Sequence, residues 1–195
     1  VLAGFLPRES VADVLASRED ARELREIASS SPRRRSQAKK LFPKACWNEI
    51  RGNVDTRLRK VLQGHADATI LAAAGLNRLG IQEFEGIVFR SFSVDEMIPA
   101  AGQGAIALQC KPELVEILRP HLCPETTLAV EIERTVLDKL GGGCHTAVGV
   151  HFDGETLHVY HEDRGHISEA LTKKDWDQPG GSLERFMERH FAKKA

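Results

Sequence analysis

Residues 23–42 read ELREIASSSPRRRSQAKKLF, and this stretch decides the fold. Glu23 to Ser29 predicts a short strand. Three serines and a proline then break it. Ser31 carries the hydroxyl of a helix N-cap, and Pro32 suits the first helical position. A helix follows from about Arg33 to Phe42, with Ala38, Leu41 and Phe42 as its apolar stripe. Further along, Val54, Leu58, Val61 and Leu62 recur at helical spacing, predicting a second helix over about Asp55 to Gln63 that ends at Gly64. Ala68 to Ala73 (ATILAA) predicts a fully buried strand of the kind found in parallel sheets. Gly75 to Gly80 reads as a loop or short helix. Strand, helix and strand in this order predict an α/β domain whose sheet has helices on both faces.

A second region begins near Pro99. Small residues from Ala100 to Gly104 make a turn before an apolar strand, Ala105 to Cys110. A short helix over Pro112 to Leu118 comes next, and Pro120 and Pro124 bracket a linker. Thr127 to Leu140 is again helical, with Leu128, Ile132, Val136, Leu137 and Leu140 on one side, and Gly141-Gly142-Gly143 stops it. Strands joined by turns at Asp153-Gly154 and Arg164-Gly165 follow, then a helix from about Ser182 to Phe191. This part reads as α+β.

The chain has 195 residues, room for one large domain or two small ones. With 42% apolar and 28% charged residues, its composition is that of an ordinary globular protein. The longest largely apolar stretch, Ala68 to Ala74, is too short to span a bilayer. No secretory signal pattern opens the chain. The net charge of −1 gives no general attraction to nucleic acid or to an anionic membrane, so anion binding has to be local. The four cysteines show no metal spacing, and the histidines between His145 and His166 read as solvated strand and turn residues. On a sheet, His158 with His161, or His151 with His161, are the pairs that could meet. The chemistry and the lack of a secretory signal favour a reducing cytoplasm or an organelle stroma over secretion.

The basic residues are clustered. Arg33, Arg34, Arg35, Lys39 and Lys40 fall within eight positions. Cations at a helix N-terminus are unfavourable by about 0.3–1 kcal/mol each. Serine hydroxyls, free backbone N–H groups and guanidiniums together make a place that suits an anion, although a solvated basic face is the plain alternative. Arg51-Gly52-Asn53-Val54-Asp55-Thr56-Arg57 sets arginines around a second helix start. Arg78 follows the buried strand, where open α/β sheets meet ligands. Gly141-Gly142-Gly143-Cys144 puts a thiol on a permissive loop, either as an attachment point or as a half-buried cysteine after a helix C-cap.

Five segments in order resemble the porphobilinogen deaminase (hydroxymethylbilane synthase) family: SSSPRRRSQ (29–37), RGNVDTRLRKV (51–61), DATILAAAGLNRLGI (67–81), MIPAAGQGAIALQC (97–110) and ERTVLDKLGGGCHTAVGV (133–150). The resemblance implies a transferase that condenses four porphobilinogen molecules, with loss of ammonia, onto a dipyrromethane cofactor held by a thioether. It implies Cys144 as the attachment point, and Ser31, Arg33, Arg34, Arg51, Arg57 and Arg78 as the cofactor-binding residues. It implies a periplasmic-binding-protein-like domain 2 over 5–97, a returning segment of domain 1 over 98–120, and a C-terminal α+β domain 3 over 124–195. The family's catalytic aspartate belongs to domain 1, upstream of Val1, so no catalytic residue is expected in this chain, and the chain alone is expected to be inactive. Neither metal, nucleic acid nor membrane is expected as a partner, and the family is usually monomeric. Arg35 and His145-Thr146-Ala147 depart from the family pattern. The alternative is a non-catalytic anion-binding module of periplasmic-binding-protein type.

Overall fold

The computed structural model describes residues 1–142 and 146–192. In chain order its elements are β1 (Leu2–Phe5), β2 (Asp13–Arg18), β3 (Glu26–Ala28), α1 (Pro32–Leu41), β4 (Cys46–Asn48), α2 (Val54–Leu62), β5 (Ala68–Ala72), α3 (Ala73–Arg78), β6 (Ile87–Ser91), β7 (Ala107–Gln109), α4 (Val115–Leu118), α5 (Pro124–Lys139), β8 (Val148–Phe152), β9 (Thr156–His161), β10 (Gly165–Ala170) and α6 (Ser182–Phe191). They fall into two compact units, one built on Glu9–Pro99 and the other on residues 1–8, 100–142 and 148–192. Among the described residues no helix is long and apolar enough to cross a membrane.

The Glu9–Pro99 unit is a five-stranded sheet in the order β4-β3-β5-β2-β6. β3 runs parallel to both β4 and β5, while β2 runs antiparallel to β5 and to β6. The sheet is therefore mixed rather than parallel throughout. β5 is buried as expected, but one of its neighbours points the other way. The chain steps from β3 out to β4 through α1, then back past β3 to β5 through α2. Crossovers between parallel strands are right-handed, so steps in opposite directions put their helices on opposite faces. The packing agrees. Leu15, Ile27, Ala68 and Ile70 meet Ala38 of α1 on one face. Val14, Ala16, Ala28 and Leu71 meet Leu58 and Val61 of α2 and Leu76 of α3 on the other. The α/β expectation with helices on both faces holds for this unit.

The second unit is α+β. β8, β9 and β10 form an antiparallel meander, and β1 pairs with β7 in a two-stranded sheet. Val150, Phe152, Leu157 and Val159 pack with Ile132 and Val136 of α5 and with Leu183 and Phe186 of α6. Pro124 does not close a linker. It opens α5 in the first turn, three residues ahead of the expected start, because a proline there gives up an N–H that the helix leaves unpaired anyway. Pro120 lies in a 3-10 turn, Arg119–His121.

The histidine pairings differ from those expected. His158 and His161 are three residues apart on β9, so side-chain alternation sends them to opposite faces. His151 lies directly across from His158, with ring centroids 6.1 Å apart, and His166 lies equally close to His158 on the other side. His161 is on the helix side, with its ring against Phe191.

Candidate functional site: a basic crevice at the strand ends

The parallel strands β4, β3 and β5 all finish at one edge of the sheet, and each runs on into a helix. β3 feeds α1 on one face. Its neighbour β5 feeds α3 on the other. Adjacent strands whose continuations part in this way open a crevice at their carboxyl ends. β2 is antiparallel, so its first residue, Asp13, sits opposite Ala72 at this same edge.

Ser31 caps α1, its hydroxyl accepting the Arg34 N–H at 3.4 Å. Ser30 Oγ donates to Ile50 O at 2.9 Å and accepts the Ile50 N–H at 3.2 Å, tying the turn after β3 to the turn after β4. Arg33 is buried and donates through Nη1 to Asp13 Oδ2 and to Ile98 O, both at 2.7 Å. Arg34 donates through Nε to Asp13 Oδ1 at 2.8 Å and through Nη1 to Ile70 O at 3.1 Å. Gln37 makes a two-way bond with Ile98, donating to its carbonyl at 2.9 Å and accepting its N–H at 2.8 Å. The first turns of α1 are thus fixed to β2, to β5 and to the segment leaving β6.

Asp13 was not foreseen. An aspartate inside the apolar run Ala12 to Ala16 was the available signal, because a carboxylate in a buried strand needs a cation. Burial pushes its pKa up, but the Arg34 and Arg33 charges outweigh that and hold it below the ordinary carboxylate value. Burial lowers the Arg34 pKa, Asp13 opposes the shift, and the Arg33 and Arg57 charges add to it. Among the described residues, two guanidiniums face one carboxylate here. Arginines at this helix start therefore do have an internal anion, Asp13.

Asn53 caps α2 through the Thr56 N–H at 2.8 Å, and Arg57 Nε donates to Gly52 O at 2.8 Å. Gly52 has φ of 122°, and a Cβ there would come within 2.7 Å of the Thr56 side chain, so this turn requires glycine. Arg51 is exposed and pairs loosely with Glu49 at 3.4 Å. Ser31, Arg33 and Arg34 are brought together, and Arg57 is near enough for its charge to be felt at Arg34. Arg78 ends the short helix α3 that follows β5, about 9 Å of helix beyond the strand end. There its charge helps lower the pKa of Glu9, after the Ser10 backbone and Asn77 side-chain hydrogen bonds. Cys144 lies outside the described residues.

The donor set suits a ligand with several carboxylates: two arginines on one buried carboxylate, accessible arginines at the next helix start, and two helix N-termini, those of α1 and α2, at one edge. These features define an α/β unit with a basic edge. Residues 1–119 match the family model described as "Porphobilinogen deaminase, dipyromethane cofactor binding domain". A porphobilinogen deaminase of Nitrobacter winogradskyi is 42% identical over 158 residues, covering 77% of this chain and 49% of the relative. One from Coxiella burnetii is 43% identical over 157 residues, covering 77% and 50%. The chain belongs to the porphobilinogen deaminase family. It spans about half the length of the curated relatives it matches. A substrate-binding domain of a putative amino acid ABC transporter from Streptococcus pneumoniae shares 14% identity over 70% of this chain and 60% of that one, at a TM-score of 0.39. A likeness that weak carries no part of the fold description.

Proposed function

We propose that this chain is the carboxylate-gripping part of a hydroxymethylbilane synthase, a transferase that condenses porphobilinogen onto a dipyrromethane cofactor. The observation that carries this reading is the convergence of two arginines, Arg33 and Arg34, on Asp13 at the carboxyl ends of the parallel strands. Each pyrrole ring of such a chain bears an acetate and a propionate, so the ligand gathers two carboxylates per ring. When bound, the cofactor supplies the terminal pyrrole carbon onto which a new ring is joined. The residues described here would orient it. Arg34 and Arg57 would take carboxylates at the crevice, Arg33 would hold Arg34 and Asp13 in place, Ser31 would offer its hydroxyl, and Arg51 and Arg78 would act from the rim. Cys144 would be the thioether attachment. Residues 5–97 would act as the family's second domain, 98–120 as the returning piece of its first, and 124–195 as its third. The protein would act as a cytoplasmic monomer, with no nucleic acid or membrane partner. The reaction's aspartate belongs to a segment that none of the matched motifs contains, so the 195-residue chain alone should not turn over porphobilinogen.

The test is binding. A dipyrromethane carrying acetate and propionate groups should bind the chain, with affinity that falls as salt rises. Arg34→Ala should weaken binding at least tenfold. Cys144→Ser should abolish any covalent adduct seen by intact mass. Binding indifferent to both salt and Arg34 would refute the reading.

A further inference from the structure

The β8-β9-β10 sheet carries a row of histidines on the face away from α5 and α6. His151 on β8 and Ser168 on β10 lie directly across from His158 on β9, one on each side. His166 precedes Ser168 by two residues and so shares its face, diagonal to His158. Diagonal neighbours across an antiparallel pair are within reach of long side chains.

Two imidazoles converge on one hydroxyl. His158 Nδ1 lies 2.9 Å from Ser168 Oγ, and His166 Nε2 lies 3.0 Å from the same atom. A ring nitrogen of one histidine is within 4.8 Å of a ring nitrogen of the other. The second nitrogen of His158, Nε2, faces Asp153 Oδ2 at 3.4 Å. Asp153 is held in turn, accepting the Glu155 and Thr156 N–H groups at 2.9 and 2.8 Å. A carboxylate that accepts from one ring N–H leaves the lone pair on the other nitrogen, fixes the ring's orientation and raises its basicity. Metal-ligating histidines are supported in this way.

We propose that His158 Nδ1 and His166 Nε2 chelate a divalent late first-row transition ion of the Zn²⁺ class, with Asp153 as the supporting carboxylate and Ser168 Oγ and water completing the shell. Imidazole nitrogen suits Zn²⁺, Ni²⁺ and Cu²⁺. Zn–N bonds of about 2.0–2.1 Å at a tetrahedral angle bring two such nitrogens to about 3.3 Å. Both His166 and Ser168 are exposed, so side-chain rotation closes the remaining gap without moving the backbone. His151, whose Nδ1 faces the buried Glu133 carboxylate at 3.2 Å, falls outside the group of ligand atoms that lie within 4.8 Å of one another. The four residues proposed here, Asp153, His158, His166 and Ser168, belong to a different unit from the arginine cluster, so the two sets of variants are read separately.

Titration of the chelator-dialysed full chain with ZnCl₂ alone, followed by calorimetry, should show one equivalent bound. His158→Ala and His166→Gln should each weaken that step at least tenfold, and Asp153→Asn about tenfold. His65→Ala, on an exposed turn in the other unit, should change nothing. With Co²⁺ in place of Zn²⁺ the spectrum should show nitrogen and oxygen ligation without a thiolate charge-transfer band. Should His158→Ala unfold the sheet, the exposed His166→Gln decides alone. Zn²⁺ binding that survives His166→Gln unchanged, or a thiolate band with Co²⁺, overturns the proposal.

Discussion

Asp13 and Glu133 are both wholly buried, one in each unit, and they are neutralised in different ways. Glu133 accepts a bidentate pair from Arg8 at 2.7 and 3.0 Å, the Gly102 N–H at 2.7 Å and the Phe152 N–H at 3.0 Å, and faces His151 Nδ1. One guanidinium answers one carboxylate, and the remaining lone pairs go to the backbone. Asp13 is shared by two guanidiniums. One arginine to a carboxylate is enough to fix structure; the second arginine on Asp13 is what the proposed ligand site would use. That asymmetry separates the two when burial and hydrogen bonding alone would rank them alike.

The largest expected effect tests that distinction directly. Removing one partner of a buried ion pair costs about 3–5 kcal/mol, because the other charge is left buried and unpaired. Asp13→Ala and Glu133→Ala should each lose roughly that much in urea unfolding. They should part company when a polycarboxylate is added. Millimolar citrate should recover part of the loss in Asp13→Ala, where Arg33 and Arg34 lose their shared carboxylate at the strand ends, and none in Glu133→Ala. An equal response would erase the difference between the clusters.

Acid comes next. Burial pushes the Glu133 carboxyl up, but the His151 and Arg8 hydrogen bonds, the Arg8 charge and the Gly102 N–H together hold it below its ordinary value. Asp13 is depressed likewise by Arg34 and Arg33. A carboxylate whose folded pKa is depressed contributes stability above its unfolded value, and that stability is lost as pH falls through the folded value. Stability should therefore hold from neutral pH down to the ordinary carboxylate range of about 4 and fall below it. Asp13→Asn and Glu133→Gln should each flatten that acid limb. An acid limb unchanged in both variants would mean that neither carboxylate governs it.

Much of this was legible from residue types. Ser31-Pro32 marks the start of α1, Val54 to Leu62 shows its helical spacing, and ATILAA shows a buried strand, because caps, periodicity and apolar runs are local signals. The strands β2 and β6 were not legible. β2 pairs with β5 and with β6 over long separations in sequence, and Asp13 and Arg90 interrupt the apolar pattern of the two strands. The arginines of the site were legible by motif, but their shared partner was not. Asp13 is 20 residues from Arg33 and joins it only once β2 lies beside β5. Arg78 follows β5 as expected, and the short helix α3 sets it at that helix's end rather than at the last residue of the strand.

A smaller effect separates the helix starts of the two units. Ser31 caps α1 with its side chain, whereas Cys123 at the start of α5 makes no side-chain cap bond. Ser31→Ala should cost about 1 kcal/mol, the usual loss for an N-cap hydroxyl. Cys123→Ala should cost less in the same denaturation series. Equal losses would mean that α1 is held by Arg33, Arg34 and Gln37 and owes little to its cap.

The smallest stability effect is expected at Arg51, and it is the most telling about the basic edge. Its side chain is 84% exposed and its ion-pair partner, Glu49, is 62% exposed, so the pair contributes at most about 0.5–1 kcal/mol. Arg51→Ala should leave the unfolding midpoint nearly unchanged. If the crevice collects carboxylates, the same change should still weaken binding of an acetate- and propionate-bearing dipyrromethane and reduce its dependence on salt, because one of the cations facing the ligand is gone. Arg33→Met should do the reverse, lowering stability while leaving the rim charge in place. Should Arg51→Ala bind as well as the parent chain at low salt, the ligand's carboxylates do not reach the rim, and the binding surface contracts to Arg34, Arg57 and the cap of α1.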